Sequence, residues 1–266
     1  MKIKAYRYLP YVVITAVLMA LPALLGFNAY YVLIATWILF YAVLVTAWNI
    51  IYGFAGQIDL AAGAYIGLGA FTSGTLFIRW DITPWIGMFL GGLIAAGFAI
   101  LIGYPTFRFG IREVWYALAS LAIVKVLERV FTVWEEIGGP EERYLGLGRF
   151  WGYDLYYYIL LMFLITLLAL NIWIKSSKLG CYLMAVRENE EAAEMLGVDT
   201  RKYKLKALFI YAFITGIVGG PFACITGYIH PSHFDMWISS QVAILGMVGG
   251  VGSIFGPPIT AFILVS

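Results

Sequence analysis

Seven apolar runs of about twenty residues follow one another along this chain, and they leave few folds open to it. They lie near Leu9–Phe27, Tyr30–Tyr52, Leu60–Ile78, Pro84–Tyr104, Glu113–Trp134, Leu155–Ile174 and Ala207–Ile229. A helix needs about 20 mostly apolar residues to cross the hydrocarbon core of a bilayer. An eighth apolar stretch begins near Trp237. It is interrupted by Gly246, Gly249, Gly250, Gly252 and Gly256-Pro257-Pro258, then restarts at Ile259. Apolar residues are 62% of the 266 and charged residues 12%, against about 25% charged in a soluble domain. Such a chain cannot cover itself for water. The expectation is an all-α integral membrane protein: one polytopic helical bundle over 1–266, with about eight membrane elements.

The start, with Lys2, Lys4 and Arg7 before an apolar run, resembles a signal peptide only superficially. The run continues through Pro22 to Phe27 without a small-x-small cleavage site, so it reads as an uncleaved first span. The last apolar run is still in progress at Ser266 and reads as a truncated span. Orientation follows from Lys and Arg, which concentrate in cytoplasmic loops. With the N-terminus inside, segments 1–8, 105–112 and 175–206 hold twelve of them, and the opposite segments hold three. The basic residues sit in short loops and the net charge is only +2, which gives no sign of nucleic-acid binding.

Two segments break the helical pattern. One is Gly53-Phe54-Ala55-Gly56-Gln57-Ile58-Asp59-Leu60-Ala61-Ala62-Gly63, and the other runs from Gly246 to Pro258. Irregular backbone at membrane depth survives only where protein or a water-filled cavity satisfies it, and matched breaks mark the translocation region of transporters. Gln57 and Asp59 therefore have two readings. Asp59 can cap a helix starting at Leu60, or both residues can line a pathway. In the fifth run, Lys125 and Glu128 are three apart and share a helix face, so they can pair, or they can form a polar lining. Arg129 lies close enough to the end of that run to snorkel outward. Gly63-x-x-x-Gly67, Gly87-x-x-x-Gly91 and Gly216-x-x-x-Gly220 allow close helix approach.

Cys181 and Cys224 have no partner at a disulfide or metal spacing. The two histidines, His230 and His233, share a short loop without further ligands, so neither a metal site nor a catalytic one is expected. No Gly-x-x-x-x-Gly-Lys-Ser/Thr phosphate loop occurs, so the chain is not expected to hydrolyse ATP. No cofactor is implied.

The segment 175–206 is a charged island between two apolar runs, with seven of the seventeen Lys and Arg and five of the fifteen acids. Arg187 to Gly197 reads as a short helix: acids crowd its first turns, Ala192, Ala193, Met195 and Leu196 favour helix, and Gly197 suits the left-handed residue after its end. A structured loop of this kind in an apolar protein touches something soluble, or is an ordinary surface helix.

Glu191-Ala192-Ala193-x-x-x-Gly197 resembles the EAA signature of ABC importer permeases, whose loop helix docks in a cleft of the ATP-binding subunit. Ser177 through Val198, Gly53 through Ala70, Tyr116 through Ala122, Gly138-Gly139 and Gly249 through Pro257 are together similar to the branched-chain amino-acid permease family. That family usually has Ser at the place of Asp59, and Ile58-Asp59-Leu60 is reminiscent of related sugar permeases. The resemblance implies a permease subunit in the membrane of a prokaryote, importing branched-chain amino acids or a related small polar solute. It implies two ATP-binding cassette subunits, a second homologous permease subunit and an extracytoplasmic solute-binding protein as partners. Arg187, Glu191, Ala192, Ala193 and Gly197 would then carry the coupling to ATP. The other reading is a stand-alone secondary transporter or channel that uses Asp59, or Lys125 and Glu128, as an ion site.

Overall fold

The computed structural model describes residues 17–24, 26–111, 113–137, 139–146 and 152–265. Residues 9–16 and 25 of the expected first span, Leu9–Phe27, lie outside the described residues, and 17–24 are helical.

Helix α1, Ala29–Trp48, is capped by Asn28, whose side chain accepts the Tyr30 N–H at 3.0 Å. It passes without interruption into a π-helical turn, Asn49–Phe54. After an irregular stretch the chain resumes as α2, Ala62–Trp80, and α3, Pro84–Arg108, which starts on proline at its first position, where no N–H is needed. Next come α4, Glu113–Val133, and α5, Tyr153–Ser176. The charged island folds into α6, Lys178–Glu188, and α7, Glu190–Met195. Helix α8, Thr200–Thr226, ends on Gly227, and α9, Met236–Val248, and α10, Gly256–Leu264, follow.

Among the described residues, four helical stretches are long and apolar enough to cross a membrane: Ala29–Phe54, Pro84–Arg108, Tyr153–Ser176 and Thr200–Thr226. The molecule is thus an all-helical, multi-pass membrane bundle. One small exception is an antiparallel pair of two-residue strands, β1 (Arg143–Tyr144) and β2 (Tyr228–Ile229).

The tightest packing joins α2, α3 and α8. Glycine makes it possible. A Cβ at Gly69 of α2 would collide with the Gly216 carbonyl of α8, and one at Gly91 of α3 would stand 2.8 Å from the Gly69 Cα. At Gly216 it would lie 2.9 Å from the Gly92 Cα. The expected contacts of Gly87, Gly91, Gly216 and Gly220 are therefore helix-to-helix, bringing backbones together where lipid supplies no hydrophobic force between them.

Gly63 and Gly67 do something else. They face the Asp235 backbone and the Phe234 ring, and Gly74, further along α2, meets Ile229. Residues 229–235 therefore run antiparallel to α2 from Gly63 to Gly74, about 16 Å at 1.5 Å per residue.

Helix α8 starts seven residues earlier than the run from Ala207 indicates, because Asp199 caps it by accepting the Lys202 N–H at 3.0 Å. The charged stretch 201–206 is thereby the first turns of a long helix.

Candidate functional site

The expected short helix between Arg187 and Gly197 forms as two pieces. Asn189 ends α6 and starts α7, its side chain accepting the Ala192 N–H at 2.9 Å. Helix α7 closes with both bonds of a Schellman cap: Gly197 N–H to Glu194 C=O at 2.9 Å and Val198 N–H to Ala193 C=O at 3.0 Å. Gly197 has φ +83°, the left-handed conformation expected of it. Ala193 is buried beneath the helix, while Glu191, Ala192, Met195 and Leu196 face outward. Met195 is 90% exposed and Leu196 85%. Two large apolar side chains are thus held out at the tip of a polar loop.

This tip is tied to the membrane bundle at two places. The Lys204 ammonium, buried near the start of α8, pairs with Glu190 at 2.7 Å, and the Thr200 hydroxyl donates to Glu194 at 2.6 Å. Removing one member of a buried pair strands the other charge, so α7 and α8 are held as a unit.

Arg187, at the end of α6, makes the longer connection. Its Nη1 donates to the Gly53 carbonyl at 2.7 Å, and its other nitrogens bind the Glu188 carboxylate. Its aliphatic stem lies over Gly56, which adopts φ +71° and has no room for a side chain there. The same spot is where the two broken segments meet. A Cβ on Gly53 would sit 2.9 Å from the Gly252 nitrogen, and one on Gly252 would sit 2.7 Å from Arg187 Nη1. The Asn49 side chain fastens them: its amide donates to the Ser253 carbonyl at 3.0 Å, and its oxygen accepts the Gly252 N–H at 3.2 Å. The two breaks, far apart in sequence, are one junction in space.

Gln57 and Asp59 part company here. Gln57 is buried and lines a cavity of about 240 Å³ together with Ala55, Gly56, Arg187, Asn189 and Glu191. Asp59 is 1% exposed and fully engaged. Its Oδ1 accepts the Ala61 N–H at 2.8 Å, and its Oδ2 accepts the hydroxyls of Tyr116 at 2.8 Å and Tyr65 at 3.2 Å. Its carbonyl accepts the Trp48 indole N–H at 2.7 Å. The expected cap on a helix from Leu60 is displaced: α2 starts at Ala62, because the second carboxylate oxygen is drawn to tyrosines on α2 and α4. Leu60 N–H goes instead to Ser120 at 2.9 Å, and Gly63 N–H to Ser239 at 2.8 Å.

Asp59→Ala is expected to lower the melting temperature of the detergent-purified chain markedly. It leaves two buried phenols without their acceptor, at about 1–3 kcal/mol each. Adding Tyr65→Phe and Tyr116→Phe should recover part of the loss. A single variant that melts with the wild type would show that the cluster carries no structural weight.

Lys125 and Glu128 pair at 2.5 Å on α4, with Lys125 about half exposed. Val124, Leu127 and Phe131 make the buried face of that helix, and Arg129 lies on the exposed side with Lys125. His230 accepts from Ser232 N–H at 3.1 Å, whereas His233 is buried and hydrogen-bonded to the Tyr228 carbonyl at 2.9 Å. Cys181 and Cys224 are free thiols. Among the described residues no cluster of three or more His, Cys, Asp or Glu could hold a metal ion.

Sequence reasoning gives no structural role to Asn49, Trp48, Tyr65 or Tyr116, and reads His230 and His233 as part of a short loop. A lone asparagine within an apolar run, eight residues before Gln57, was the available signal.

Comparison with known proteins identifies a family. The high-affinity branched-chain amino acid transport system permease protein LivM of Escherichia coli (strain K12) is 28% identical over 263 residues, covering 87% of this chain and 61% of its own length. The chain therefore spans about three fifths of that relative. LivM of Salmonella typhimurium matches to the same extent. The probable branched-chain amino acid transport permease protein LivH of Methanocaldococcus jannaschii is 25% identical over 220 residues, 77% of this chain and 69% of its own. No solved structure matches. The family profile described as branched-chain amino acid transport system / permease component matches residues 30–266. That match takes in both broken segments, the loop helix and the α2–α3–α8 packing, and the chain belongs to this family of transport permeases.

Proposed function

We propose that the chain is the permease subunit of an ABC importer that moves branched-chain amino acids, or a related small polar solute, across a prokaryotic cell membrane. The observation that carries the reading is α7, which presents Glu191, Ala192, Met195 and Leu196 outward on a loop anchored through Lys204 and Arg187. An exposed apolar tip on an anchored polar helix fits a groove on a soluble partner. ATP hydrolysis belongs to that partner, a pair of ATP-binding cassette subunits. A second homologous permease subunit and an extracytoplasmic solute-binding protein complete the assembly.

In this reading the N-terminus is cytoplasmic and about eight membrane elements are present. They are the run Leu9–Phe27, then α1 to α5 and α8, and a broken element made of α9 and α10. The stretches 55–61, 249–255 and 229–235, which lie between helices, line the translocation region. Closing of the ATPase pair pulls on α7. The pull reaches α8 through Lys204–Glu190 and the junction of broken segments through Arg187, so a local event becomes movement of packed helices. Gln57 is the candidate pathway residue closest to that junction. Asp59, with all its oxygens engaged, positions the turn between α1 and α2.

The test is a pull-down from detergent-solubilised membranes with this chain as bait and an ATPase assay on the eluate. A P-loop ATPase should co-purify, and uptake into vesicles should follow ATP. A chain that purifies alone and transports on a proton or sodium gradient would overturn the proposal in favour of a stand-alone transporter.

A further inference from the structure

The α3–α8 surface carries a second built feature, unrelated to α7's exposed tip. A groove of about 550 Å³ opens between α3, α6 and α8. Its walls are Ile100 and Tyr104 of α3, Leu179 of α6, and Leu205, Phe209 and Ile210 of α8. Its mouth is formed by Arg201, Lys202, Lys206 and Asp199. Arg201, Lys202 and Lys206 are exposed, whereas Asp199 is already engaged as the cap of α8. Three cations against one occupied carboxylate make the mouth positive. The N-terminal end of a 27-residue helix adds its own positive partial charge there.

From Arg201 to Phe209 the groove descends about 12 Å along α8, at 1.5 Å per residue. Over that distance the surface changes from three cations to aromatic and aliphatic side chains. Tyr182 and Tyr203 pack ring to ring at 4.8 Å beside the mouth, with the Lys206 ammonium 5.1 Å above the Tyr203 ring. Tyrosines beside such a cluster of cations favour the headgroup level of a membrane.

We propose that this groove is a binding site for one anionic phospholipid, its headgroup phosphate held by Arg201, Lys202 and Lys206 and an acyl chain laid along Leu205, Phe209 and Tyr104. Charge complementarity selects the lipid: a zwitterionic headgroup brings its own cation to a mouth that already holds three, and a protein helix would leave those three cations without counter-charge. The occupant grips the same turns of α8 that Lys204 and Thr200 tie to α7.

The experiment places the full chain in nanodiscs of phosphatidylglycerol and phosphatidylcholine with identical acyl chains. Lipid retained through mild detergent exchange is then counted by native mass spectrometry. The wild type should keep phosphatidylglycerol preferentially. The triple variant R201Q/K202Q/K206Q should bind it on the order of 100-fold more weakly at low salt, at about one kcal/mol per cation. Leu179→Trp, which fills the wall and leaves every charge in place, should also reduce retention. Equal retention of both lipids would overturn the proposal. So would a loss confined to the charge variant, which would mean attraction to the membrane surface without a groove. Displacement of the lipid by a second permease chain, or by inorganic phosphate alone, would reassign the site to a subunit interface or to a free anion.

Discussion

Substituting glutamate for Gly197 is expected to leave the chain folded in the membrane while abolishing both solute uptake and stimulation of the partner ATPase. The structural cost is small and local. No neighbouring atom lies within 4 Å of where the new Cβ would stand, so only the left-handed backbone objects, at about 1–2 kcal/mol. On the proposed reading the functional cost is large, because Gly197 directly follows Met195 and Leu196, the apolar tip. A carboxylate there faces the negative end of α7 and adds to a helix already carrying Glu190, Glu191 and Glu194. Gly197→Asn, which tolerates the left-handed conformation, should keep most activity. Uptake assays and ATPase assays on the same preparation decide the matter. Normal transport by the glutamate variant would remove Gly197 from the coupling surface.

The opposite pattern is expected of Gly69→Val and Gly216→Val. These should prevent a stable bundle from accumulating at all. The Cβ of residue 69 meets a backbone carbonyl of α8, and that of residue 216 meets backbone on α3. Ordinary overpacking costs about 1–3 kcal/mol because side chains can yield. Backbone cannot, and three packed helices would have to separate. Gly97→Val is the control: it lies on α3 with nothing within 4 Å of the added Cβ. The amount of chain in membranes, and its profile on size-exclusion chromatography, should collapse for the first two variants and stay unchanged for the third. Normal accumulation of Gly69→Val would mean that α2 and α8 do not pack as described.

These two glycines also show how far the sequence could be read. Apolar run lengths placed the long helices, since only a helix can cross lipid with its backbone satisfied. Gly197 was legible because a helix end and its left-handed residue are neighbours in the chain. Gly216-x-x-x-Gly220 announced a close approach without naming the partner. Gly63-x-x-x-Gly67 announced the same thing, yet its partner is the irregular segment around Phe234 and Asp235, which short length and two histidines made look like an ordinary loop. Of the two readings open for Asp59, cap or pathway lining, the cap is the one that needs only local sequence. The tyrosines that bind Asp59 come from α2 and α4, and nothing in one sequence says which phenol will reach which carboxylate. Arg187 was placed on the loop by its neighbours, but its reach to Gly53, 134 residues earlier, belongs to tertiary structure alone.

Asn49 carries a consequence for how the protein is made. Its side chain sits in an apolar helix, and the groups that satisfy it, Gly252 N–H and Ser253 C=O, lie 203 and 204 residues further along. At about 5–20 residues per second, a ribosome needs roughly 10–40 s to produce them. Throughout that interval the turn that carries Asn49 is in or near the bilayer with a side chain whose partners at 252 and 253 do not yet exist. The nascent chain must therefore shelter Asn49 against Asn171 once that arrives, or against the insertion machinery before then. Closure of the junction consequently waits for the synthesis of Gly252 and Ser253.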